Sequence, residues 1–168
     1  TPPYLTMAGA DNSITIPAVL VSQADGAILA AQLANNLNVT LSAAEMDGAL
    51  DAGIVCHEYG HGVSNRLTGG PAQAGCLSNA EQGGEGWSDY LGLMMTTDWS
   101  TATLTDGEIA RPIGTYVVGQ KINESGIRIY PYSTNLVTNP LTYANMGTGT
   151  IGTEVHNIGE IWCVALWD

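Results

Sequence analysis

Residues 50–67 read LDAGIVCHEYGHGVSNRL, and the fold turns on whether the H-E-x-x-H inside this stretch, His57 to His61, lies on a helix. Ile54, Val55, Tyr59, Val63 and Leu67 recur at helical spacing, and TGGP at 68–71 supplies a stop. The stretch is therefore predicted to be a helix. His57 and His61, one turn apart, then project from one face, and both imidazoles can reach a single metal ion. Glu58 stands beside the first histidine, where its carboxylate can approach a water at that metal without binding the metal itself. Gly60 and Gly62 are read as giving neighbouring backbone room to pack around the site; in an exposed helix each would cost about 1 kcal/mol.

Two histidines leave such a site unfinished, because zinc takes four ligands and a catalytic site keeps one of them exchangeable. GEGWSDY at 84–90 can complete it. Glu85 lies far enough beyond His61 for one helix to end and another to return, and it is the preferred third ligand. Glu81, one turn earlier, is the rival, but it precedes a Gly-Gly pair that weakens a regular helix. Asp89, one turn after Glu85, is placed to accept the free N–H of a metal-bound histidine, which fixes the tautomer.

NAEQGGEGWSDYLGLMMTTDW is predicted to form the second helix, with Trp87, Leu91, Met94 and Met95 on its apolar side. VHNIGEIWCVALWD begins a third, after turn-rich residues 106–150. His156, at the loop-to-helix junction, can supply a donor opposite the metal for a developing oxyanion. Glu160, one turn later, offers a different use for His156, as half of a second metal pair. Each feature alone has a plain structural reading: a chance spacing, a solvated acidic helix face, a hydrogen-bonded histidine. Their joint occurrence points to a metal site.

The 168 residues carry 4 Lys+Arg against 16 Asp+Glu, a formal charge of −12, which excludes nucleic acid as a partner because phosphate binding needs a basic surface. The longest apolar run, IPAVLV, is far short of a membrane span. Cys56, Cys76 and Cys163 lack C-x-x-C spacing. Cys56 and Cys163 are read as small buried residues, and Cys76 as the one open to a disulfide. In the first block, ITIPAVLVS is a strand signal, Ser22 and Asp25 have capping-box spacing for a helix through about Leu33, and NVTLS reads as a second strand, making a β-α-β unit. NVT at 38–40 and NES at 123–125 match the glycosylation pattern.

HEYGHGVSNRLTGGP followed by GEGWSDYLGLMM resembles the catalytic core of the fungalysin family of secreted zinc metallopeptidases, which share a thermolysin-like fold. TYANMGTGTIGTEVHNIGEIWCVALWD resembles that family's stretch bearing the oxyanion-stabilising histidine. The likeness covers about residues 47–168. It implies that His57, His61 and Glu85 bind one Zn2+, that Glu58 is the general base, that Asp89 supports a ligand from behind, and that His156 is the transition-state donor. Such enzymes also use a tyrosine at the oxyanion and a carboxylate behind the donor histidine. Tyr116, Tyr130, Tyr132 and Tyr143 compete for the first role, and Glu154 is the one acid closely preceding His156. The sequence places no calcium site and leaves the oligomeric state open.

The first block resembles the second half of a protease-associated domain. The expected fold is thus α+β: a β-α-β piece of that domain over 1–42, then a partial, mainly helical thermolysin-like core over 43–168, the whole an internal piece of a longer precursor. The expected activity is secreted, zinc-dependent endopeptidase action on protein or peptide substrates. The competing expectation is a non-catalytic extracellular module, a peptidase-like scaffold with a structural zinc that recruits proteins; an intact Glu58 argues against it.

Overall fold

Ser22 accepts a hydrogen bond from the Asp25 N–H at 3.1 Å and opens helix α1, Gln23–Gln32, as the capping-box spacing predicts. The computed structural model describes residues 21–40 and 46–168. The chain divides into two compact units, Thr1–Ala44 and Glu45–Asp168. In the smaller unit α1 is followed by a 3-10 turn, Leu33–Asn35, which ends at Asn36 in the left-handed conformation. The predicted strand ITIPAVLVS falls outside the described residues up to position 20; residues 38–40 of the second predicted strand are irregular, and 41–42 lie outside.

The regular structure of the larger unit is helical among the described residues. Helix α2 is Ala52–Gly69, α3 is Gly84–Met95 and α4 is Val155–Trp167. Asp51 caps α2 by accepting from the N–H groups of Gly53 (3.0 Å) and Ile54 (3.3 Å). Gly70, at φ 69°, ends α2 at the predicted TGGP stop.

All three helices form where the sequence predicts them, but in the first two the most deeply buried positions are not the large apolar residues. On α2 the apolar residues Val55, Tyr59 and Leu67 are exposed, Leu67 at 84%, and Ile54 and Val63 are half-buried, whereas His57 and Gly60 are buried. On α3, Trp87 and Met95 are exposed, Leu91 and Met94 are half-buried, and the covered face is Gly84, Gly86, Ser88, Asp89, Gly92 and Leu93. Small side chains explain this, because they let helix backbones approach more closely than large apolar ones can. A Cβ on Gly60 would lie 2.7 Å from the Ser88 Cα, so α2 and α3 meet there nearly backbone to backbone. Gly62 has nothing within 4 Å, so the expectation of a packing role holds for Gly60 and fails for Gly62.

Helix α3 packs against both α2 and α4. At the second crossing, a Cβ on Gly86 would fall 2.1 Å from the Gly159 carbonyl oxygen. One core cluster gathers Leu93, Ile113, Tyr132 and Cys163, with Ile54, Tyr90, Val164 and Trp167 against it. A second gathers Leu141, Ile151, Ile158 and Ile161 beneath Ile129, Tyr130, Met146 and Trp162. All three cysteines are free, with Cys163 buried as expected and Cys56 and Cys76 half-buried.

The segment between α3 and α4 is turn-rich, as predicted. Among the ties that hold it is an antiparallel bridge between Arg111 and Tyr132, with N–H to oxygen distances of 2.8 and 2.9 Å. Gly126, at φ 73°, passes so close to Ile113 that only glycine fits. These turns bring residues 128–132 back onto α3 and α4.

Candidate metal centre

His57 and His61 are one turn apart on α2, and their ring centroids are 4.6 Å apart in an edge-on arrangement. Glu85, in the first turn of α3, faces both. Its Oε2 lies 3.1 Å from His57 Nε2 and 3.3 Å from His61 Nε2. One ligand atom from each of the three residues falls within 4.8 Å of the others. Glu81, the rival, sits before α3 in an exposed turn, where its carboxylate accepts the Tyr143 hydroxyl at 3.1 and 3.2 Å.

The donor set fits a divalent cation. Glu85 Oε2 is buried and has no hydrogen-bond partner, although imidazole nitrogens stand within ion-pair distance. Once the Nε2 proton of His57 is displaced, these close nitrogens offer converging lone pairs to a cation. Two neutral imidazoles and a carboxylate are a zinc-type ligand set that leaves a fourth position open.

Behind the three candidate ligands, His57 Nδ1 lies 2.6 Å from Asp89 Oδ1, one turn after Glu85 on α3. Asp89 is itself held by Arg128, through Nε to Oδ2 at 2.6 Å and Nη2 to Oδ1 at 3.0 Å, and by the Tyr132 hydroxyl to Oδ2 at 2.5 Å. Burial raises the Asp89 pKa, but the bonds from His57, Arg128 and Tyr132 outweigh it and hold the carboxyl below the usual range. An ionised Asp89 requires the proton on His57 Nδ1, which leaves Nε2 turned toward Glu85 as the free donor atom. In the metal-free protein, burial pulls His57 down, while Asp89 and Glu85 push it further the other way, up to about 9. The same ring lowers the Glu85 pKa against its own burial.

A metal held by His57 would have to displace its second proton, so affinity for it should weaken as pH falls below about 9. Expected is roughly a tenfold loss of apparent zinc affinity per pH unit on that side, read by chelator competition.

His156 begins α4, exposed, with Nε2 3.5 Å from Glu85 Oε2. Glu154 holds the ring from behind, Oε1 to Nδ1 at 2.6 Å, while its Oε2 accepts the Asn157 N–H at 3.0 Å and caps the helix. Glu58 is exposed on α2 beside His57. Among the competing tyrosines, Tyr132 is fully buried and spent on Asp89, and Tyr143 is spent on Glu81. Glu160 is turned away from any metal pair with His156: its carboxylate accepts the N–H groups of Ile129 (2.7 Å) and Tyr130 (3.3 Å). Burial pushes its pKa up to about 7 against those bonds and the nearby Arg128.

Sequence reasoning missed Arg128. Its signal was rarity, since a chain with 4 Lys+Arg in all sets one of them inside the apolar GIRIY.

The sequence pattern of the fungalysin metallopeptidases (M36) matches residues 4–168. Curated relatives include the extracellular metalloproteinase MEP of Pyricularia oryzae, 46% identical over 131 residues, which is 77% of this chain and 19% of that protein. The protein of the same name from Fusarium vanettenii is 45% identical over 133 residues, again 77% of this chain and 19% of the relative. Extracellular metalloproteinase 4 of Arthroderma otae is 48% identical over 126 residues, covering 71% and 17%. The chain thus spans about a fifth of the length of the curated relatives it matches. On the match over nearly its whole length, and on the geometry above, this chain belongs to the fungalysin metallopeptidase family.

Proposed function

We propose that the chain carries the metal centre and proton-transfer groups of a secreted zinc endopeptidase acting on protein or peptide substrates. One observation carries this reading: the buried, unpartnered Oε2 of Glu85 with the Nε2 atoms of His57 and His61 converging on it. The family and the extracellular relatives support the activity and the secretion. Among the described residues no helix is long and apolar enough to cross a membrane.

In this reading His57, His61 and Glu85 hold Zn2+. When bound, the metal supplies Lewis acidity that acidifies a water and polarises the scissile carbonyl. Glu58 removes the proton from the attacking water and later passes it to the leaving amine. Asp89 keeps the His57 proton on Nδ1 and so keeps Nε2 free for the metal. In this role His156 acts as an imidazolium: its Nδ1–H is given to Glu154, and its Nε2–H is presented to the carbonyl oxygen as negative charge develops on it. Residues 1–42 are assigned to the second half of a protease-associated domain and 43–168 to part of the catalytic domain; the division after Ala44 supports the boundary, while the family match runs across it.

The test is metal uptake by the full-length protein. Wild type should bind one zinc per chain, and Glu85→Gln should bind it at least about a hundredfold more weakly, since it loses the one anionic ligand. A Glu85→Gln protein that retained wild-type affinity would refute the ligand set.

A further inference from the structure

We propose that Glu160 is a positioning residue for His57, acting through the backbone of residues 128–132. The proposal rests on the zinc reading above but makes a demand of its own on this chain.

Glu160 is 0% exposed, and burying a carboxylate is costly unless its oxygens find donors. It finds two, the N–H groups of Ile129 and Tyr130, one on each oxygen. Those amides lie in a segment whose one described bridge is at Tyr132, so at 129 and 130 a side chain does the work of a neighbouring strand. The residues flanking that anchor, Arg128 and Tyr132, are the two that grip Asp89, and Asp89 in turn holds His57 Nδ1. A carboxylate on α4 thereby fixes the register of the segment that orients a ligand on α2. Glu160 is also one helical turn after His156, so one short stretch of α4 carries the donor histidine and the anchor of the ligand support.

Both acceptor oxygens matter as well as the shape. A glutamine has one acceptor oxygen, and its NH2 would face a second N–H, donor against donor. Four other ionisable groups surround the carboxyl: Arg128 and Tyr132 from the anchored segment, Asp89 from α3 and Cys163 from α4 itself. Against its own burial, the bond to Asp89 and the negative charges of Asp89 and Glu160 keep Arg128 protonated.

The experiment uses the full-length protein and its Glu160→Gln variant, alone and with Asp89→Asn. Zinc affinity by chelator competition should drop about tenfold in Glu160→Gln, in the range known for groups that orient a ligand from behind. In the Asp89→Asn background the same change should cost less than twofold, because the route to His57 is already cut. An unchanged affinity in Glu160→Gln, or an equal loss in both backgrounds, overturns the proposal.

A second readout needs no metal. The His57 Nδ1 proton, bonded to Asp89 at 2.6 Å, should give a low-field NMR resonance that Asp89→Asn abolishes. Glu160→Gln should broaden it or speed its exchange with water about tenfold; an unaltered resonance overturns the proposal. A wild-type protein without zinc affinity would refute the metal reading and leave this resonance to judge Glu160. Should the Gln variant fail to fold, Glu160→Asp keeps the charge but withdraws it by one methylene and is judged by the same resonance.

Discussion

Glu58→Gln should leave zinc bound at wild-type affinity while hydrolysis of casein falls by about 10^2–10^4-fold. The amide has nearly the volume of the acid, and the ligand atoms of His57, His61 and Glu85 are untouched. What it lacks is a lone pair basic enough to take a proton from water. Because Glu58 is exposed beside the site, the substitution also leaves no buried hole, so stability should stay within about 0.5 kcal/mol. Initial rates on casein beside zinc stoichiometry on the same preparation make the measurement. Full activity in the variant would remove Glu58 from the mechanism. A binding scaffold with a structural metal would show no hydrolysis in either protein, so one pair of assays also separates the two functional classes.

The second large effect is on folding. Gly86→Ala should cost more than about 3 kcal/mol or prevent accumulation of folded protein. The added Cβ would lie 2.1 Å from the Gly159 oxygen and 2.9 Å from the Cys163 nitrogen. Both are backbone atoms within a helix, so no rotamer change relieves the clash, and α3 and α4 must separate. Gly159→Ala should behave alike, with its Cβ 2.6 Å from the Glu85 Cβ and the Gly86 nitrogen. The control is Gly62→Ala, which meets nothing within 4 Å and should gain about 0.5–1 kcal/mol from helix propensity. Thermal unfolding of the three metal-free variants checks the order; a Gly86→Ala protein as stable as wild type would mean the crossing is looser than described.

The sequence showed helices more readily than faces. Spacing and the TGGP stop located α2, because local hydrogen bonding and capping decide where a helix begins and ends. The same periodicity ran through Ile54, Val55, Tyr59, Val63 and Leu67 alike, yet Val55, Tyr59 and Leu67 are exposed while Ile54 and Val63 are half-buried. Hydrophobic patterning assumes that large apolar groups seek the interior. Here the interior is a glycine- and serine-lined crossing, which carries little apolar signal.

The site followed a similar division. His57, His61, Glu85 and Asp89 were legible because each pair is set by one helical turn, and a turn can be counted along a chain. Arg128 and Tyr132 reach Asp89 from residues separated from it by 39 and 43 positions, through turns whose path no periodicity encodes. Glu160 was visible as a residue but not as a role, since its partners are backbone amides and leave no mark in side-chain identity.

The four hydrogen bonds on Asp89 have a consequence for which ions the centre can hold and how. Two carboxylate oxygens offer about four lone-pair positions, and His57, Arg128 (twice) and Tyr132 occupy them all. Asp89 therefore cannot swing inward to become a fourth protein ligand without abandoning a buried arginine. A freer aspartate one turn from Glu85 could close the coordination sphere and turn a reactive centre into an inert structural one. The grip of Arg128 and Tyr132 thus does more than orient an imidazole: it holds Asp89 out of the group formed by His57, His61 and Glu85, so a metal held there under the proposed reading would have three protein ligands rather than four.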